Sequence, residues 1–290
     1  MKPYVTLLVG VLSVSFAAIF IRLADAPPLV IAAYRLAIAS AILVPIAAMK
    51  SGHVLKDLSR RDMLLILLSS VFVAVHFALW ITSLSYTSIT SSMVLVTSHP
   101  VFVAATSYFL WGERLDKVAV GGIVVTMLGV IIINYGDFTF TEKAFWGDLL
   151  ALIAGLAMGA YLIIGGQIRS RIDILPYLAL IYSGAAVMLL ATAMITGHSL
   201  IGYSNVTYVM MVLLALVPQL IGHSCLNLTV RLIPVTLVSV AILGESVGAT
   251  VLGYLILDEV PHASEITGGF LILVGIFTVM RRTSKRLVMK

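Results

Sequence analysis

The sequence predicts an all-α polytopic membrane protein, with ten transmembrane helices in two inverted five-helix repeats. Three observations lead there. First, 61% of the 290 residues are hydrophobic and 11% charged, whereas a soluble domain carries about 25% charged residues. So little charge cannot cover a water-facing surface. Second, ten apolar windows follow one another, most of them close to the roughly 20 residues that span about 30 Å of hydrocarbon. Third, the last three windows match the third, fourth and fifth at a nearly constant displacement.

The windows fall at 4–23, 29–49, 62–82, 88–111, 118–134, 146–167, 174–196, 205–226, 233–257 and 265–281. The first follows Lys2 in "MKPYVTLLVGVLSVSFAAIFIRLADAPP". Without a persuasive small-residue cleavage site it reads as a membrane helix that stays, and not as a signal peptide. The second carries Arg35, its one clearly intramembrane cation. The third carries His76 and Trp80, four apart and so on one helix face, and Tyr86 follows it. The fourth carries His99 and Pro100, and the fifth is short. Gly155-x-x-x-Gly159 in the sixth and Gly244-x-x-x-Gly248 in the ninth read as close helix crossings. The eighth carries Gln219 and His223, with Asn227 just beyond, and the ninth carries Glu245. No segment is long enough for a separate soluble domain.

Charge sets the orientation. Of the 18 Lys and Arg residues, all but Arg22, Arg35 and Lys143 fall at the termini or in alternate links. The opposite side holds the acidic Asp25, Asp137, Glu142, Asp258, Glu259 and Glu265. Under the positive-inside rule both termini are cytoplasmic. The net charge of +5 is therefore a topology signal and carries no implication of nucleic acid. A single cysteine, Cys225, excludes an intramolecular disulfide framework. No glycine-rich phosphate loop and no nucleophile–base motif is present, so no enzyme is expected.

A displacement of 146 places Glu113 on Glu259, Gly122 on Gly268 and Gly129 on Gly275, and a displacement of 147 places His76 on His223 and Trp80 on Asn227. The repeats are residues 1–143 and 144–290. Five spans per copy is an odd number, so the second copy enters the membrane from the opposite side. Secondary transporters with inverted repeats hold cargo near the midplane between the copies.

Glu245 lies about twelve residues from either end of its window, where a charged side chain costs about 2.5–3.5 kcal/mol on insertion scales. It is expected to face the bundle interior or a wet cavity, either as a neutral structural residue or as a group that binds a cargo amine or exchanges protons. His99 aligns with Glu245 at 146, and an imidazole in water titrates near about 6.5. A satisfied core histidine is its simpler reading. His76 is expected toward the outer half and His223 toward the inner half. The three histidines and Glu245 are suitable metal ligands, but no short ligand spacing supports a metal site and none is expected. Arg35 has the forked donors that suit a carboxylate, with a helix-locking or snorkelling role as the alternative. Trp80, Tyr86, Gln219 and Asn227 are candidate wall residues of a chamber for a partly apolar zwitterion, each also consistent with plain packing.

The segments "VIAAYRLAIASAILVP", "SYTSITSSMVLVTSHPVFVAATSYFLWGERL", "LIPVTLVSVAILGESVGATVLGYLILDEV" and "ITGGFLILVGI" resemble the EamA branch of the drug/metabolite transporter superfamily over nearly the whole chain. Glu113 and Glu259 match the acidic residue that commonly closes the family's fourth and ninth helices. Ser246 departs from a proline common after the glutamate, and His99 from a residue usually uncharged. The resemblance implies ten helices, cytoplasmic termini and a central cavity. It also implies a secondary carrier, most simply an exporter of amino acids or related small metabolites. Alternatives are a broad-specificity drug or organic-cation exporter and, less favoured, a metabolite importer. Helices three, four, eight and nine are expected to build the cavity, with helix two contributing. Cofactors are not expected, while proton coupling through Glu245 or His99 stays open. The expected setting is a prokaryotic plasma membrane. Partners are a small-molecule substrate and membrane lipids, with a monomer sufficient and a homodimer still open.

Overall fold

A backbone in hydrocarbon must satisfy its own hydrogen bonds, so each apolar window folds as helix. The computed structural model describes residues 3–56, 58–83, 85–87, 89–112, 117–133, 141–169, 171–258 and 260–288. Lys2, Glu113, Arg114, Asp137, Glu259 and Lys290 lie outside the described residues. The helices are α1 (Pro3–Leu23), α2 (Pro28–Lys56), α3 (Arg60–Ser83), α4 (Ile89–Val96), α5 (His99–Trp111), α6 (Lys117–Ile133), α7 (Glu142–Ile168), α8 (Ile174–Ile195), α9 (Asn205–Leu214), α10 (Ser224–Thr229), α11 (Val235–Ile242), α12 (Gly244–Leu257) and α13 (Ala263–Val288). Among the described residues nine helical runs are long and apolar enough to cross a membrane, and α6 is a shorter apolar helix of 17 residues. The chain is an all-α polytopic membrane protein.

Three windows that read as continuous are interrupted. The fourth breaks between α4 and α5, the ninth between α11 and α12, and the eighth widens into a π-helical segment, Ala215–His223, between α9 and α10. Pro218 lies inside that segment; lacking an N–H, it interrupts the i→i−4 ladder, and π turns concentrate at functional sites. Two edges also moved. Helix α2 runs to Lys56 with a kink at Ser51, and α13 continues to Val288, beyond the apolar window. A cationic tail ends hydropathy but not helix.

Helix association in a bilayer depends on close packing of small residues, and the aligned glycines provide it. Helices α6 and α13 cross at Gly122, Gly129, Gly268 and Gly275. A Cβ on Gly129 would lie 2.6 Å from the Gly268 carbonyl oxygen and 2.8 Å from the Ile272 nitrogen. Gly155 packs on the Val96 carbonyl, 2.7 Å from where its Cβ would sit, and Gly159 on Phe102 at 2.6 Å. Gly244 meets Val11 and Gly248 meets Ser15, so both small-x-x-x-small motifs are close crossings. Elsewhere α2 packs on α8, joined by a 2.6 Å Ser40–Ser183 hydroxyl pair. Helix α3 packs on α7, and α1 on α9, α10 and α12.

One of the cations counted in the links is buried. Arg169 is 1% exposed. Its guanidinium donates to the Ile172 carbonyl and lies 5.9 Å from the Tyr177 ring centre. The tight turn from α7 to α8 folds it inward. Nearby, Arg171 pairs with Asp62 and Arg231 with Asp173, each at 3.1 Å.

Candidate functional site

Arg35, His76, Trp80, His99, His223 and Glu245 line one cavity. It offers about 50 Å³ to the centre of a water molecule, room for a few waters at roughly 10–15 Å³ each. Val14 and Ala17 of α1 and Met158 of α7 also line it. The first and sixth spans therefore join the five expected to form the wall.

His99 and Glu245 reach the cavity from matching places. Each sits in the first turn of the helix that follows its break, α5 or α12. In the fourth span Pro100 has no N–H for the Val96 carbonyl four residues back. The His99 ring takes its place: Nδ1–H donates to that carbonyl at 3.2 Å. The Ser98 hydroxyl donates to the Leu95 carbonyl at 2.7 Å. The imidazole is thus locked by the break it sits on, and its Nε2 makes no hydrogen bond of good geometry, with the Ser239 main chain beside it. In the ninth span Ser246 replaces proline. The break there consists of single-turn bonds, Leu243 N–H to the Val240 carbonyl at 3.2 Å and Ser246 N–H to the Leu243 carbonyl at 3.3 Å. Gly244, a weak helix former, occupies this point. Glu245 is half-buried and feels the charge of Arg35.

The sequence placed His76 and His223 in opposite halves of the membrane, yet both reach this cavity. Phe77 lies between them, 4.9 Å from the His76 ring and 5.9 Å from the His223 ring, centre to centre. Two histidines expected on opposite sides of the midplane therefore line a single cavity. His76 Nδ1–H donates to the Ala154 carbonyl at 3.0 Å, and its ring stacks on Trp80 at 5.9 Å. A carbonyl partner fixes a proton on Nδ1 and so sets which ring nitrogen is left for the chamber. The Trp80 indole N–H is buried without a hydrogen-bond partner. Among the described residues no group of three or more His, Cys, Asp or Glu could hold a metal ion.

Gln219 and Asn227 stand behind the wall. Gln219, 1% exposed, accepts from Arg35 Nε at 2.7 Å. Asn227 donates to the Tyr161 hydroxyl at 2.5 Å and to the His223 carbonyl at 2.7 Å, bracing the turn that carries His223. Tyr86 does not join them. It is 45% exposed, with the Lys143 ammonium 5.7 Å from its ring centre, because it lies beyond the end of α3. Phe77 is the ring that Arg35 rests on, a pairing that sequence reasoning did not make. Its signal was adjacency to His76 in a window with few other aromatics.

A polytopic helical protein enclosing a small chamber of charged, imidazole and indole groups between its spans has the build of a secondary transporter. Comparison gives the particular family. The EamA-like transporter family matches residues 1–135 and again 145–281, and the chain belongs to that family. It is a membrane transporter and not an enzyme. It is 23% identical over 279 residues to YdfC, an uncharacterized transporter of Bacillus subtilis, covering 95% of this chain and 90% of that one. An uncharacterized transporter of Archaeoglobus fulgidus is 22% identical, with 91% of each chain covered. One solved crystal structure superposes with a TM-score of 0.84 over 98% of both chains at 17% identity, which shows a shared fold.

Proposed function

We propose that this transporter exports amino acids or closely related zwitterionic metabolites by alternating access through the central cavity. The observation that carries the reading is the presence of Arg35 and Glu245 in one chamber, with Trp80 and Phe77 between polar groups. A guanidinium suits a carboxylate, a carboxylate suits an ammonium, and the rings suit a modest apolar side chain. In this reading residues 1–143 and 144–290 are inverted repeats that rock about the cavity. Neighbour relations support it. Spans two and seven pack together, as do five and ten. Span three meets six as eight meets one, and span four meets six as nine meets one. Exchanging the halves leaves that set of contacts unchanged. Paired breaks at His99 and Glu245 support it further.

The same reading puts both termini in the cytoplasm of a prokaryotic cell, following the basic residues. One chain encloses its own chamber, so a monomer suffices. An outside proton on Glu245 or His99 would loosen the hold on a cationic amine and drive export. The test is counterflow into liposomes containing the purified protein, with a labelled amino-acid panel competed by unlabelled amino acids and by organic cations. Exchange competed by one narrow class of amino acids is expected. Broad competition by organic cations would replace this reading with a drug exporter, and no amino-acid exchange at all would refute it.

A further inference from the structure

Arg35 is a closely held buried charge whose terminal fork is left unsatisfied. It is 2% exposed. Its Nε donates to Gln219 Oε1 at 2.7 Å, and its guanidinium carbon lies 4.5 Å from the Phe77 ring centre. Among the described residues no carboxylate lies within 4.0 Å of it, and its two terminal amino groups make no hydrogen bond. A buried cation left this way is costly unless a counter-charge completes it. The residues that face it are His76, His223, Tyr182 and Glu245. Only Glu245 is an acid, and it shares the cavity without forming an ion pair.

The grip on Nε is specific. A guanidinium is planar, so fixing Nε–H along one hydrogen bond and one face against a ring fixes the direction of the terminal fork. Gln219 is presented for this by the π-helical segment around Pro218. An α-helical turn there would rotate successive side chains differently about the axis. A glutamine amide supplies an acceptor without a charge. It orients the guanidinium and leaves its positive charge unneutralised, which a glutamate would not.

We propose that Gln219, set by the π turn, is the positioning residue that holds Arg35 as the anion-recognition pole of the cavity, with its terminal fork reserved for a carboxylate on the cargo. The inference rests on the amino-acid reading above. It assigns a specificity-determining role to a side chain outside the cavity wall.

The test uses the full-length protein in liposomes and exchange of labelled L-valine, whose small apolar side chain suits Val14, Val96 and Ile242 around the chamber. Unlabelled L-valine and L-valinamide compete in separate runs; both carry an ammonium, and only the first has a carboxylate. In wild type, L-valine is expected to compete at a concentration about tenfold or more below the amide, the scale of one charge-assisted hydrogen bond. Gln219→Leu removes the acceptor, and Gln219→Glu keeps the acceptor but pairs off the charge. Both are expected to pull that ratio toward one while the amide's own half-inhibiting concentration stays put. Arg35→Lys, which keeps charge and loses the fork, is expected to do the same. A merely structural Gln219 would weaken both competitors in parallel, and that result, or an unchanged ratio in both variants, overturns the proposal and leaves the transport reading standing. Absence of L-valine exchange by wild type would instead sink the reading on which the proposal rests.

Discussion

The crossing of α6 and α13 allows a stability measurement with its own control. Gly129→Ala would place a Cβ 2.6 Å from the Gly268 carbonyl oxygen and 2.8 Å from a backbone nitrogen. Ordinary contact begins at 3.4 Å, so the first approach is about 0.8 Å too close (3.4 − 2.6). Backbone atoms on a partner helix cannot rotate away, so the helices must separate along the crossing. Overpacking of this kind costs about 1–3 kcal/mol. Alanine also returns about 0.8–1.0 kcal/mol of helix propensity over glycine. Gly121, on the exposed side of the same helix, has nothing within 4 Å of its Cβ position. Gly121→Ala therefore has the propensity gain alone, and the difference between the two variants isolates the clash. The assay is thermal unfolding in detergent, read by a thiol-reactive fluorophore on the single cysteine, Cys225. Gly129→Ala is expected to melt a few degrees below Gly121→Ala, at roughly 2–4 °C per kcal/mol. Adding Gly268→Ala to Gly129→Ala is expected to cost less than the two singly, because both open the same contact. Equal melting temperatures for Gly121→Ala and Gly129→Ala would refute the close crossing.

Three further outcomes follow from the cavity. Glu245→Gln is expected to keep exchange of labelled cargo and to lose the acceleration that a pH gradient gives wild type; an unchanged gradient response would make Glu245 structural. Pro100→Ala returns an N–H to the Val96 carbonyl, so the fourth span straightens and His99 loses its acceptor. Transport is expected to fall severalfold with thermal stability held or raised, and unchanged transport would count against the break. Asn227→Leu leaves the Tyr161 hydroxyl and the His223 carbonyl without their donor, a loss of about 1–3 kcal/mol that should lower the melting temperature. An unchanged melting temperature would show that Asn227 does not brace that turn.

Much of the fold was legible because the bilayer fixes helix length: each expected window has its helical counterpart, with α2 and α13 running on past theirs. The family and the close crossings were legible because glycine spacing in Gly122, Gly129, Gly268 and Gly275 survives the displacement between copies. Facing was not. When lipid and core are both apolar, periodicity says little about which side of a helix meets a neighbour. Hence Gln219 and Asn227 were read as wall residues although they stand behind it. Tyr86 looked close to the site through sequence proximity to Trp80, yet lies past the end of α3. The breaks were half legible. Pro100 marks one, whereas the other has only Gly244 to signal it, and the π segment depends on Pro218 in a tolerant apolar run. Convergence of His76 with His223 was invisible, since the alignment of the copies says nothing of which side chains meet between helices.

The most direct measurement asks whether cargo occupies this chamber. Ala17 lines it and is 2% exposed, and Cys225→Ser clears the background, so Ala17→Cys offers a single thiol inside the wall. Labelling by a small maleimide is followed in liposomes as the exchanged amino acid is raised. Occupancy of the cavity requires protection that is half complete at the same concentration that half-saturates exchange. Labelling that stays constant at saturating cargo, in protein that still exchanges it, would place the transport route somewhere else.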